Sequence, residues 1–106
     1  MPLVLSKLRC GVIYTDAFSH FLHRLHVEQA PAHHGQILTL EYVRCASGPQ
    51  KGRAWWNIHW VPESAAPPHW CFTLGQVRVH LPRSAQLGLK ERCLDYEDGR
   101  VVVLPP

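Results

Sequence analysis

The chain has 106 residues, the size of one domain, which we take to span residues 1–106. Its apolar fraction of 46% and charged fraction of 18% are typical of a globular protein and exclude an intrinsically disordered one. No apolar run approaches the ~20 residues of a membrane span, so no membrane partner is expected. The formal net charge is only +3 and the basic residues are scattered, which argues against nucleic acid.

The cysteines and the beginning of the chain indicate where the protein resides. The first residues do not resemble a signal peptide, because their apolar stretch is short and the basic residues follow it. Four cysteines, Cys10, Cys45, Cys71 and Cys93, lie far apart without a Cys-x-x-Cys pair. We therefore expect reduced thiols in a cytoplasmic protein.

The N-terminal third predicts a short strand and an amphipathic helix. The strand spans residues 11–14, and Thr15 or Asp16 offers an N-cap for a helix over residues 17–27. The apolar residues of this helix share one face. They are Ala17, Phe18, Phe21, Leu22 and Leu25.

Two alternating stretches in the middle of the chain predict long strands. They cover residues 37–43 and 54–61 and flank a loop at 46–52. One face of this strand pair is apolar and is expected in the core: Leu38, Leu40, Tyr42, Trp56, Ile58 and Trp60. The other face is expected to point away from it: Thr39, Glu41, Trp55, Asn57 and His59.

The C-terminal part predicts two hairpins separated by a short helix. Strands at 70–74 and 77–81 flank a turn at Gly75-Gln76, with Val77, Val79 and Leu81 facing inward and Arg78 and His80 outward. One or two helical turns are expected over residues 82–88. The predicted second hairpin joins strands 93–97 and 100–104 through Asp98-Gly99.

Taken in order, these elements predict an α+β domain. One amphipathic helix lies near the N-terminus, one short helix lies further on, and mostly antiparallel strands form sheets that pack on each other. The expected core combines the inward residues of the strands, including Leu94 and Tyr96, with Phe18 and Leu22 of the helix.

The order of elements, and residues placed along it, resemble the HesB/IscA family of A-type carriers, which serve iron–sulfur cluster assembly. The resemblance covers roughly residues 12–103, nearly the whole chain. Four segments carry it: Tyr14-Thr15-Asp16-Ala17 at the helix start, Arg44-Cys45-Ala46-Ser47-Gly48 after a strand, Val79 to Ser84, and Leu94-Asp95-Tyr96. The resemblance implies a HesB-like β-sandwich.

The chain departs from that family pattern at its expected metal ligands. Family members that carry clusters have a Cys-Gly-Cys near the C-terminus, which this sequence lacks, and Arg44 and Ala46 replace the expected glycine and serine. Cys45 is the one family cysteine that remains. Two hypotheses stay open: a carrier that binds iron or an iron–sulfur cluster through Cys45 and meets assembly or client proteins, or a non-catalytic module that has lost the metal and acts through protein contacts.

Other candidate sites each have a plainer interpretation. Cys45 lies beside Arg44 and Lys51, which favour a thiolate ligand, but the plainer interpretation is a half-buried leftover thiol. His69 and Cys71 form His-x-Cys on a predicted strand, and together with Cys45 or Cys93 would give a tetrahedral zinc site if all converged.

The remaining candidate site residues are histidines of the helix and one tryptophan. His20, His23 and His26 lie three apart on the helix and suit either a metal or a solvated face. Trp55, opposite the apolar face, is a candidate interface for a homodimer, or else it is covered within one chain by the second sheet or by the loop at residues 62–68. No paired carboxylates and no glycine-rich phosphate loop are present, so an enzyme is not expected.

Overall fold

Two four-stranded mixed sheets form the frame of the molecule. The computed structural model describes residues 5–44, 48–49 and 54–104, and the side chains at positions 43–44 and 54–55 lie outside this description. The strands are β1 (Leu5–Lys7), β2 (Ile13–Thr15), β3 (Gln36–Arg44), β4 (Ala54–Pro62), β5 (Cys71–Leu74), β6 (Val77–His80), β7 (Cys93–Glu97) and β8 (Arg100–Leu104). The helices are α1 (Asp16–Gln29) and α2 (Arg83–Leu89).

Each sheet contains one parallel pair of strands. The order is β1-β2-β7-β8 in the first sheet and β4-β3-β6-β5 in the second. The pairs β2–β7 and β3–β6 are parallel, and the other neighbours are antiparallel. The expected α+β class with one longer and one shorter helix is confirmed. No helix in the described part of the chain has the length and apolarity that crossing a membrane requires.

Most predicted elements occur near their predicted bounds. Thr15 is the N-cap of α1, since its hydroxyl oxygen accepts a hydrogen bond from the Phe18 amide at 3.2 Å. The predicted turns at Gly75-Gln76 and Asp98-Gly99 join β5 to β6 and β7 to β8. Strand β1 was not predicted, because its three residues are exposed and carry no alternation.

The core lies between the sheets and α1. Its fully buried members come from both sheets and both helices: Val12, Phe18, Leu22, Leu38, Leu40, Val77, Val79, Leu81, Leu89 and Leu94. Trp56, Ile58 and Trp60, predicted as core, are only partly buried and pack against its margin. The indole N–H of Trp60 therefore remains free to donate to Gln29 Oε1 at 2.8 Å.

The outward face of β3 and β6 is covered by another part of the chain. Thr39 is 2% exposed and His80 is 7% exposed, although strand alternation directed both away from the core. The cover is residues 63–70, which we call the strap; it consists of two 3₁₀ turns, Glu63–Ala65 and Pro68–Trp70. Alternation within a strand shows which residues share a face, but not what packs on that face.

The strap also changes the predicted start of β5. The strand begins at Cys71, and His69 lies in the second 3₁₀ turn. Inside the strap, Ala66 is buried with Cys71 and Ile37 in a small apolar cluster that is separate from the main core.

Candidate functional site

An open groove follows the outer face of α1, where it meets β7 and the β5–β6 turn. Its central cavity, of about 460 Å³, is lined by Ala17, His20, His23, Arg24 and Tyr96. Two further cavities adjoin it. One is lined by Phe21, Arg24, Leu25, Glu28 and Tyr96, and the other by Asp16, Ser19, His20, His23, Gly75 and Gln76.

The position of Tyr96 in this groove is set by contacts between α1 and β7. The rings of Tyr96 and Phe21 stack with centroids 4.3 Å apart and planes 10° apart. Beside them, the Thr15 hydroxyl donates to Asp95 Oδ1 at 2.6 Å, and the Tyr96 amide donates to the same oxygen at 2.8 Å. These bonds hold the strand against the first turn of α1, so the aromatic wall of the groove is preformed.

Arg24 supplies the positive charge at the centre of the groove. Its guanidinium carbon lies 5.9 Å from the centroid of the Tyr96 ring. The ion pairs among the described residues involve other cations; within the groove, His20 pairs with Asp16 at 3.6 Å. A guanidinium over an aromatic ring keeps N–H donors at its edge, which suits a carboxylate next to an apolar group.

The predicted metal ligands are not brought together in the described structure. Cys45 lies outside the described residues. His69 is exposed in the strap, whereas Cys71 is buried and its thiol donates to the Pro67 carbonyl at 3.5 Å. Cys93 lies in the other sheet, where burial and then the nearby Asp95 carboxylate raise the pKa of its thiol. Within residues 5–44, 48–49 and 54–104, no three metal-ligating side chains cluster.

The helix histidines divide between two surroundings. His20 and His23 are exposed, as a solvated face requires, and both line the groove. His26 lies instead near the indole of Trp60, with ring centroids 5.8 Å apart. The side chain of Trp55 lies outside the description, so its predicted interface role stays a prediction.

Sequence reasoning missed Arg24 and Tyr96 as partners in one site. The spacing of His20, His23 and Arg24 already places them on one helical face, so half of the groove was visible in the sequence. Tyr96 is far along the chain, and only the tertiary pairing of α1 with β7 brings it there.

Comparisons with protein-family models, with curated proteins and with solved structures found no match to this chain.

Proposed function

We propose that the chain is a HesB-like, non-catalytic binding module of the cytoplasm that docks a segment of a protein partner in the groove along α1. The observation that supports it is Arg24 over the ring of Tyr96 at the centre of adjoining cavities. Arginine and tyrosine are enriched among residues that dominate binding energy at protein interfaces.

The shape of the groove favours a chain segment over a small molecule. Small-molecule sites are usually concave pockets that bury most of the ligand, whereas this groove is open along its length. Its centre offers a cation and an aromatic face together. The partner segment therefore carries a carboxylate beside an apolar side chain, a pattern that one extended peptide can supply.

Arg24→Glu is expected to weaken binding of an acidic peptide by about tenfold, which corresponds to about 1.4 kcal/mol. The probe is a fluorescein-labelled peptide in which glutamate and leucine alternate, followed by fluorescence anisotropy. Amide shifts in nuclear magnetic resonance spectra should move at His20, His23 and Tyr96.

The control for this experiment is Arg100→Glu, which makes the same charge change on an exposed residue outside the groove. It should leave the affinity nearly unchanged. Equal losses of affinity in the two variants would mean that only the overall charge of the protein matters. A peptide in which glutamine replaces glutamate should bind the wild type more weakly; equally tight binding would contradict recognition of a carboxylate.

A second candidate function is iron or iron–sulfur binding through Cys45, with assembly or client proteins as partners. Two points support it: the resemblance of the Arg44–Gly48 segment to the family loop, and the end of β3 at Arg44, so that Cys45 directly follows a strand. A thiolate is a soft ligand suited to iron–sulfur chemistry. A single cysteine needs further ligands, which a second copy of the chain would provide in a two-fold dimer.

Cys45→Ser is expected to remove most of the bound iron without changing the fold. The measurement is metal content and ultraviolet–visible absorption of protein purified without oxygen and without a histidine tag, with circular dichroism to report folding. Cys10→Ser serves as the matched control and should retain the wild-type iron content. Unchanged iron in the Cys45 variant would refute this second candidate.

A further inference from the structure

A buried hydrogen-bonded pair lies under the strap, on the face of the second sheet that is turned away from the main core. Thr39 and His80 are neighbours on β3 and β6, and Thr39 Oγ1 lies 3.2 Å from His80 Nδ1. The hydroxyl donates its one proton to the Ile37 carbonyl at 3.4 Å. With the hydroxyl proton assigned to this carbonyl, the tautomer that completes the pair has His80 Nδ1 as the donor to Thr39 and a lone pair on the other ring nitrogen, Nε2.

Nε2 of His80 is buried and has no hydrogen-bond partner among the described residues. A neutral Nε2 leaves one hydrogen bond unmade. A protonated Nε2 would place an unpaired positive charge in this buried site, which costs far more free energy. Burial first, and then the nearby His59, lower the pKa of His80 below its ordinary value of 6.5. The covered state therefore holds His80 neutral.

Charged and titratable groups on every neighbouring element leave this nitrogen unpaired. On β4 and β3, His59 Nε2 and Glu41 Oε2 pair with each other at 2.7 Å. On β6, Arg78 pairs with Glu63 of the strap at 3.1 Å. On β5, the Cys71 thiol donates to strap carbonyls, and His69 of the strap is exposed. Arg9 lies over the Phe72 ring of β5 and donates to the His69 carbonyl, so it offers His80 no acceptor.

The strap is held at its two ends and by one side chain from the N-terminal part of the chain. The Glu63 amide donates to the Gly35 carbonyl at 2.9 Å, and the Arg9 guanidinium donates to the His69 carbonyl at 3.3 Å. Trp70 stacks over His80 with centroids 6.5 Å apart, and its carbonyl accepts from the Leu81 amide at 2.9 Å. The ion pair of Arg78 with Glu63 is more than half exposed on both sides, so it contributes little. Opening the strap would disrupt the small cluster around Ala66 and leave the main core intact.

We propose that the strap is an acid-released cover, which opens when Nε2 of His80 takes up a proton and must reach water. The open state binds this proton more tightly than the covered state, because its His80 is solvated. Acid therefore favours opening, beginning as the pH falls through about 6.5 and increasing down to the lowered pKa of the covered state. Opening uncovers Ile37 and Cys71, a small apolar surface present only at mildly acidic pH.

Hydrogen exchange of the strap amides at pH 7.5 and pH 5.0 tests the proposal. After correction for the intrinsic pH dependence of exchange, protection of residues 63–70 should fall at least tenfold at pH 5.0, while α1 and β7 keep theirs. His80→Asn retains a side-chain amide in place of Nδ1 and removes the titration, so its strap protection should not change with pH. Loss of protection in His80→Asn equal to that in the wild type would overturn the proposal.

Two controls assign the effect to His80 itself. His20→Gln, on the exposed face of α1, should open with acid as the wild type does. His59→Gln should still open with acid but with a smaller change in protection, because His59 is the second cause of the lowered pKa of His80. Complete loss of opening in this variant would make His59 the trigger and overturn the proposal.

A measurement on the wild-type protein keeps the proposal testable if His80→Asn does not fold. Labelling of Cys71 by 4,4′-dithiodipyridine, which reacts at acidic pH, should accelerate relative to Cys10 as the strap opens. The midpoint of that acceleration should coincide with the titration of His80 followed by nuclear magnetic resonance. A constant ratio of the two labelling rates between pH 7.5 and pH 5.0 would refute it.

Discussion

Leu94→Ala is expected to lower the free energy of unfolding by about 2–5 kcal/mol. Leu94 has no exposed surface and lies in β7, an inner strand of the first sheet, paired with Tyr14 of β2 on one side and Val103 of β8 on the other. Removing its side chain leaves a cavity in the middle of the core, bounded by strands that cannot close it without losing their register. Urea unfolding followed by tryptophan fluorescence measures the change.

Leu87→Ala is the matched control for this variant. Leu87 lies on α2 with 65% of its surface exposed, so the same chemical change there removes almost no buried contact. Its unfolding free energy should stay within about 0.5 kcal/mol of the wild type. Similar losses in the two variants would show that β7 does not occupy the centre of the core.

Thr15→Val is expected to cost about 2–4 kcal/mol of stability, although valine has nearly the same shape as threonine. Thr15 is 1% exposed, and its hydroxyl makes two bonds, accepting from the Phe18 amide and donating to the Asp95 carboxylate. Valine removes the cap of α1 and leaves a charged acceptor with one donor fewer.

Thr15→Ser separates the hydroxyl from the rest of the side chain. Serine keeps both hydrogen bonds and loses one methyl group, so its loss of stability should be about 1 kcal/mol, well below that of valine. Thermal unfolding of the three proteins at pH 7 gives the order. A valine variant as stable as the wild type would mean that the bond between Thr15 and Asp95 contributes nothing.

The sequence alone predicted the elements that depend on residues adjacent in the chain. The cap at Thr15 and the turn at Asp98-Gly99 depend on side chains adjacent in the chain, and both occur where predicted. Asp98 has a φ of 53° and Gly99 a φ of 78°, the left-handed conformations that this residue pair tolerates in a two-residue hairpin. Such features need no knowledge of the tertiary fold.

The sequence was insufficient where a distant segment decides the environment of a residue. His80 was directed outward by alternation, and it is buried because a proline-rich segment packs across it. The loop at residues 62–68 was considered as a cover for Trp55, but nothing in the sequence indicated that the segment following it would reach His80. The groove was missed for the same reason, since Tyr96 meets Phe21 only through the pairing of the two ends of the chain.

The parallel pairing of β2 with β7 has a consequence for how fast the protein folds. The hydrogen bond of Thr15 with Asp95 joins residues 80 positions apart, so the first sheet cannot assemble before nearly the whole chain is present. Contacts of such long range slow folding, because the loop must close before the contacts compensate for its lost entropy. During synthesis on the ribosome, β1, β2 and α1 emerge early, and β2 has only β1 beside it until β7 follows.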